Sequence, residues 1–245
     1  MAKTAAKEIP SGVESLVLEV NGGRTYYFKA GRGPALVLLH GGASDARDWL
    51  PTMAALAGRF TFYAPDLPGF GRNERKESGY YLEDFIESVE AFIKALGLES
   101  PALAGHSFGG RVGIGVALRE RAGVSKLVLI DSSGFGKITR FGSALFTAFW
   151  AMRKLLRQPQ PFPRMLAGEG GDTDWICLDE LPALKAPVLL VWKSLDPYFP
   201  VSLARRAEKL IPKARLEVFP GYGHAPNKMH NESFNRLLAD FLRQD

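Results

Sequence analysis

The sequence predicts an α/β fold, with a mostly parallel eight-stranded sheet, helices on both faces and one long stretch that breaks the alternation. Three observations carry this. Short apolar runs such as Ala35–His40, Ala102–His106 and Val188–Trp192 lack the alternation of a half-exposed strand, so they read as strands covered on both faces. Helical patterns alternate with them along the chain, as parallel neighbours joined by crossovers require. The composition, 46% hydrophobic and 23% charged over 245 residues, suits one domain with a sizeable core.

Taken in order, Leu16–Val20 and Thr25–Ala30 flank Asn21-Gly22-Gly23, a strong hairpin signal. Ala35–His40 is the first buried strand, and the pattern over Arg47–Ala57 predicts a helix. Thr61–Pro65 is a strand, Leu82–Leu96 a helix, Ala102–His106 a strand and Gly110–Arg121 a tightly packed helix. Lys126–Asp131 and Val188–Trp192 are strands, separated by a long stretch that breaks the alternation. Val201–Leu210 is a helix, Arg215–Phe219 the last strand and Lys228–Arg243 the last helix. Such sheets bind ligands beyond the carboxyl ends of their strands.

The most informative junction is Gly105-His106-Ser107-Phe108-Gly109, which has a strand before it and a helix after it. A chain turning that sharply strains its central residue, and glycines two before and two after remove the side chains that would clash. Ser107 is thereby set at the sheet edge as a candidate nucleophile. A serine hydroxyl needs a base. Of His40, His106, His224 and His230, His224 is the candidate, because its glycine-rich loop follows the last strand and can swing an imidazole over that edge. His106 lies inside the elbow, and His230 falls at the start of the last helix, where a solvated histidine is expected. The base needs a carboxylate to orient it. Asp196 ends the run from Val188 and is favoured; Asp131, ending the run from Lys126, competes.

His40-Gly41-Gly42, Asp66-Leu67-Pro68-Gly69-Phe70-Gly71-Arg72, Gly105-His106-Ser107-Phe108-Gly109-Gly110, Leu195-Asp196 and Gly223-His224 occur in this order. On these landmarks the chain resembles the α/β-hydrolase superfamily, in its serine esterase and carbon–carbon hydrolase-like branch, from about Gly12 onward. The resemblance implies an α/β-hydrolase fold and a Ser–His–Asp hydrolase, with an oxyanion hole formed by the amides of Gly42 and Phe108. It also implies a core over 12–134 and 185–245 and a lid or cap over 135–184. The chain departs from the family pattern at Lys193 and Ser194, where glycine is common. Its serine nucleophile disfavours epoxide opening and dehalogenation, which proceed through a carboxylate.

Within the insertion, Phe141–Arg157 predicts a helix with Leu145, Phe149, Met152 and Leu156 on one face and Phe146 and Trp150 beside it. Three readings stand open: a lid helix walling the pocket, an apolar substrate channel, and a surface that meets membranes. Pro159, Pro161, Pro163 and Gly168-Glu169-Gly170-Gly171 read as loop. Substrate contacts are expected at Gly41, His106, Trp49, Phe146, Phe149 and Trp150.

The 31 Lys and Arg against 26 Asp and Glu give a mild net charge of +5 that reads as scattered. No aromatic–basic stripe follows, which excludes nucleic acid as a partner. No cluster has metal-ligand spacing, so no metal is expected, and the mechanism requires no cofactor. The one cysteine, Cys177, allows no intrachain disulfide and reads as packing. Residues 1–12 lack an apolar signal core and no run is long enough to span a bilayer, so a cytoplasmic protein is expected. The expected substrate is a small-molecule carboxylic ester or lactone with an apolar portion. The alternatives are carbon–carbon cleavage of a vinylogous diketone, and a ligand receptor without turnover on the same fold.

Overall fold

A computed structural model describes residues 8–158, 160–166 and 176–244. Pro159, the Gly168–Gly171 run and residues 1–7 of the amino-terminal segment lie outside the described residues. Eight strands form one sheet: β1 (Val13–Val20), β2 (Gly23–Gly31), β3 (Ala35–Leu39), β4 (Thr61–Pro65), β5 (Ala102–His106), β6 (Leu127–Ile130), β7 (Val188–Leu195) and β8 (Ala214–Tyr222). Their spatial order is β1-β2-β4-β3-β5-β6-β7-β8. β2 runs antiparallel to both β1 and β4, and every pairing from β4 through β8 is parallel.

The hairpin forms where the turn residues predict it. Val20 pairs with Gly23, which leaves Asn21 and Gly22 at φ 51° and 76°, the doubly positive geometry of a type I′ turn. At β3 the chain reverses its direction of growth, since β4 lies on one side and β5 on the other. That reversal opens a crevice beyond the carboxyl ends of β3 and β5, where the loops part in opposite directions.

The helices are α1 (Leu50–Leu56), α2 (Leu82–Ala95), α3 (Phe108–Arg119), α4 (Arg140–Leu155), α5 (Val201–Leu210), α6 (Pro226–Met229) and α7 (Asn231–Arg243). Two apolar cores cover the two sheet faces. One gathers α2, α3 and α5 through residues such as Phe85, Val112 and Ala204. The other gathers α1 and α7 through Met53, Phe234 and Leu238.

Three differences from the sequence reading have local causes. The helix expected over Arg47–Ala57 begins as a 3-10 turn at Ala46–Trp49, capped by Asp45 accepting from the Arg47 amide at 2.9 Å; Pro51 then sits in the first turn of α1. The helix expected over Lys228–Arg243 is two helices, broken at His230 (φ −127°, ψ 43°). Leu178–Ala183, in the insertion where only Phe141–Arg157 is predicted helical, is a 3-10 helix that buries Leu181; so short a turn leaves no periodic signal.

α4 stands between β6 and β7. Thr139 caps it, accepting from the Gly142 amide at 2.8 Å, and the Thr139 hydroxyl donates to the Pro197 carbonyl. The Thr139 amide also donates to the Tyr198 carbonyl at 3.0 Å, which ties the start of α4 to the loop after β7.

Candidate active site

Ser107 occupies the junction of β5 and α3 at φ 51°, ψ −116°. For a residue with a side chain this is a strained backbone, costing about 1–3 kcal/mol. The surroundings impose it: the Ser107 amide donates to the Ile130 carbonyl at 2.8 Å, and its carbonyl accepts from Gly110 at 3.0 Å and Ser133 at 3.2 Å. A Cβ on Gly105 would lie 2.4 Å from the Gly109 carbonyl oxygen, and one on Gly109 would lie 2.5 Å from the His40 and Leu39 carbonyls. Both positions therefore admit only glycine.

His224 meets this hydroxyl from across the crevice. Its Nε2 lies 2.9 Å from Ser107 Oγ, and its Nδ1 lies 2.8 Å from Asp196 Oδ2. A carboxylate oxygen accepts, so the ring proton sits on Nδ1 and Nε2 accepts from the serine. Asp196 Oδ1 accepts from the Tyr198 and Phe199 amides at 2.7 and 3.1 Å, which fixes the carboxylate. The rings of Tyr198 and Phe199 lie 4.8 and 5.8 Å from the imidazole, centroid to centroid.

The competing acid is also present. Asp131 is wholly buried at φ 41°; its Oδ1 accepts from the Lys193 amide at 2.8 Å and its Oδ2 lies 4.0 Å from His224 Nδ1. Asp196 thus holds the hydrogen bond and Asp131 stands behind it. Burial, and then the nearby Asp196, push the Asp131 carboxyl up to about 8.

The loop bearing His224 is clamped from beneath. Buried Lys193 extends Nζ to the Pro220 carbonyl and to His230 Nε2, the latter at 2.8 Å. Ser194 Oγ accepts from the Gly221 amide at 3.0 Å. These are the two residues at which the sequence departs from the family pattern, and His230, expected in solvent, is one of their partners. Across the crevice, Lys228 pairs with Asp48, Asn231 Nδ2 donates to Thr52 Oγ1 at 3.2 Å, and Phe234 lies 6.5 Å from Trp49.

His106 anchors the same loop by another route. Its Nε2 donates to the His224 carbonyl at 2.5 Å, while its buried Nδ1 has no hydrogen-bond partner among the described residues. Burial, with nearby His224 acting in the same direction, holds this imidazole well below the ordinary histidine range, hence neutral. A Cβ on Gly41 would come within 2.8 Å of that Nδ1, so the turn after β3 can lie this close only as glycine. His40 braces the turn: Nδ1 donates to the Gly41 carbonyl at 2.8 Å, and Nε2 accepts from the Leu67 amide at 2.9 Å. Asp66 is a bracing residue too, accepting from the Ala46 amide at 2.9 Å and from Arg72 Nε at 2.7 Å.

Ser107 and His224 open into a cavity of about 530 Å³. Gly41, Gly42, His106 and Phe108 line its inner end, and Ile138, Phe146, Phe162, Met165, Tyr198 and Phe199 its walls. Among the expected substrate contacts, Gly41, His106 and Phe146 are therefore at the cavity. Phe149 is half-buried with Arg153 over its ring at 5.6 Å, and Trp150 lies under Lys154; neither lines the cavity. Trp49 is not at the cavity either. The 3-10 turn rotates it inward, and it is completely buried in the core shared by α1 and α7. Tyr198 and Phe199 escaped the sequence reading, although their place directly after a strand-end acid was a usable signal.

Sequence spacing gave no metal cluster, yet ligand atoms of His106, Asp131 and His224 converge within 4.8 Å of one another. Both imidazoles have hydrogen bonds of their own: His106 Nε2 donates to a carbonyl, and His224 donates from Nδ1 to Asp196 and accepts at Nε2 from Ser107. A cation drawn to this cluster would compete with that chain of bonds. Among the described residues no helix is long and apolar enough to cross a membrane.

Known proteins share this architecture. The chain is 28% identical over 270 residues to an uncharacterized protein of Mycobacterium tuberculosis, covering 91% of this chain and 79% of that one. It is 29% identical over 255 residues to the pimeloyl-(acyl-carrier protein) methyl ester esterase of Vibrio cholerae, covering 88% and 97% respectively. Among solved structures, a meta-cleavage product hydrolase from Pseudomonas fluorescens IP01 superposes with a TM-score of 0.81 at 25% identity, over 93% of this chain and 97% of that one. The profile of the Alpha/beta hydrolase family matches residues 36–237, and with that span of the fold accounted for, the chain belongs to the α/β-hydrolase family.

Proposed function

We propose that the protein is a serine hydrolase that cleaves a carboxylic ester or lactone through an acyl-enzyme, with Ser107 as nucleophile, His224 as base and Asp196 as the orienting acid. The observation that carries this reading is the unbroken chain of hydrogen bonds from Ser107 Oγ through His224 to Asp196, at 2.9 and 2.8 Å, at the inner end of an apolar cavity. His224 takes the serine proton as Oγ attacks the acyl carbon, and the oxyanion settles against the amides of Gly42 and Phe108. His224 then protonates the leaving alcohol, and water activated by the same ring releases the acid. Each oxyanion donor contributes about 3 kcal/mol to the transition state. No cofactor enters these steps.

The cavity walls favour a substrate with an apolar portion, and residues 135–184 act as the lid that supplies Ile138, Phe146, Phe162 and Met165 to them. Similarity to an ester-cleaving relative supports the ester reading. Similarity to a meta-cleavage product hydrolase favours carbon–carbon cleavage as the second reading. The experiment is a panel of esters, lactones, thioesters and a dienol diketone, run with the wild type and Ser107→Ala. Repeated turnover of an ester that vanishes in Ser107→Ala is expected. Retained turnover in that variant overturns the nucleophile, preference for the diketone overturns the ester reading, and a single slow cycle indicates a receptor.

A further inference from the structure

We propose that the outer face of α4 is a docking surface for an anionic phospholipid bilayer, which holds the cavity mouth against the membrane surface. α4 is long but barely packed: of its sixteen residues only Gly142 is buried. Its inward side is the stripe of Gly142, Leu145 and Phe149. A second stripe, Phe141, Ala144, Ala148, Met152 and Leu155, follows helical spacing and faces outward. Phe141 is 58% exposed, Met152 50% and Leu155 82%, and the next residue, Leu156, is 57% exposed. A continuous apolar ridge this open calls for a partner.

The charge identifies that partner. Residues 132–167 contain six cations (Lys137, Arg140, Arg153, Lys154, Arg157 and Arg164) and no acid. Of these, Arg140, Lys154 and Arg157 are exposed on α4 or directly after it, and α4 itself carries no acid. Lys154 lies 5.1 Å over the exposed Trp150 ring, which keeps a cation beside an aromatic ring on the open side of the helix. An apolar ridge flanked by cations and aromatics matches the boundary between anionic headgroups and acyl chains. A second copy of the chain fits poorly, because two such cationic faces repel. An acidic protein would satisfy the charges, but the open leucine and methionine ridge would lack an apolar counterpart unless that protein carried one.

The surface is continuous with the cavity. Ile138 and Phe146, on the same segment as the ridge, line it, and Phe146 stacks on Phe162 with centroids 5.1 Å apart. A bilayer under α4 would therefore present its amphiphiles directly to the opening.

The test is flotation of the full chain with vesicles of phosphatidylcholine alone and of phosphatidylcholine with phosphatidylglycerol. Two double variants are compared with the wild type, Met152→Ser with Leu155→Ser, and Lys154→Glu with Arg157→Glu. All four positions are exposed and none lines the cavity. The expected result is binding to the anionic vesicles that weakens with salt as the Debye length shrinks from about 10 Å at 0.1 M to about 3 Å at 1 M. Each double variant should weaken it by about tenfold or more, with hydrolysis of a short water-soluble ester unchanged. Ser107→Ala should float as the wild type does, so docking is scored independently of the proposed chemistry. Absence of binding to anionic vesicles, equal binding to neutral ones, or wild-type binding by both double variants overturns the proposal. So does a dimer in light scattering that the Met152→Ser and Leu155→Ser pair dissociates.

Discussion

Two carboxyl groups face one imidazole nitrogen, and Asp131→Asn separates their roles. Asp131 is fully buried, donates nothing to His224 and receives one hydrogen bond, from the Lys193 amide. Its carboxyl is raised from 3.8 to about 8 by burial and then by Asp196. In the unfolded chain the same group ionises near its ordinary value. Between those two pH values the folded state therefore binds one more proton than the unfolded state, and stability from this group falls as pH rises. The slope is about 1.4 kcal/mol per pH unit, which amounts to roughly 4 kcal/mol by pH 7 and roughly 6 by pH 8 as an upper bound. Asparagine matches the neutral acid in shape. It keeps an oxygen for the Lys193 amide, places an NH₂ where Oδ2 stands, and does not titrate. Asp131→Asn should thus equal the wild type near pH 4 and exceed it by about 2 kcal/mol or more at pH 8. Its ester turnover should stay within about tenfold of the wild type, whereas Asp196→Asn should lose about a thousandfold or more, because it removes the acceptor that sets the His224 tautomer. Urea denaturation at the two pH values and initial rates on a short ester measure both effects. A stability difference that is the same at both pH values refutes the titration argument. Asp131→Asn inactive beside an active Asp196→Asn would reverse the roles of the two acids.

Two further outcomes test the site's supports. Trp49→Ala should cost about 3–5 kcal/mol of stability with KM unchanged, because the indole belongs to the core and not to the cavity; a raised KM in urea-free assays with an unchanged unfolding curve would return Trp49 to the substrate. Lys193→Met leaves the Pro220 carbonyl and His230 Nε2 without their donor, so a loss of about 1–3 kcal/mol is expected, with kcat reduced about tenfold as the His224 loop loses its footing. Labelling of Ser107 by a phosphonate that slows in step with kcat would agree with a misplaced base, while an unaltered kcat would remove Lys193 from any positioning role.

The sequence is most legible where local chemistry leaves one solution. Thr61–Pro65 and Ala102–His106 are bounded by turn-forming neighbours and appear as strands over the same residues. Asn21-Gly22 can hardly do other than turn, and the glycines at 105 and 109 are explained by carbonyl oxygens where a Cβ would fall. The parts that were not legible depend on contacts between residues far apart in the chain. Helical periodicity runs on past His230, and nothing local in the sequence announces that its ring meets Lys193 from β7. Nothing near Trp49 in sequence says that Phe234 is its neighbour. Asp131 and Asp196 both end strands, and their ranking rests on which oxygen comes within 2.8 Å of His224. On α4 the apolar residues announce a helix, but periodicity cannot tell the half-buried Phe149 side from the open Leu155 side.

The bonds that tie Asp48, Trp49 and Thr52 to Lys228, Phe234 and Asn231 join the first third of the chain to its final stretch. A ribosome delivers Ser107 early, Asp196 much later and His224 later still, and α7 must emerge before the two walls of the crevice can lock. A nascent polypeptide thus carries an ordinary, unreactive alcohol until Asp196 and His224 have followed it. Under the proposed chemistry, a chain interrupted before β8 would be inert instead of an unregulated acyl acceptor.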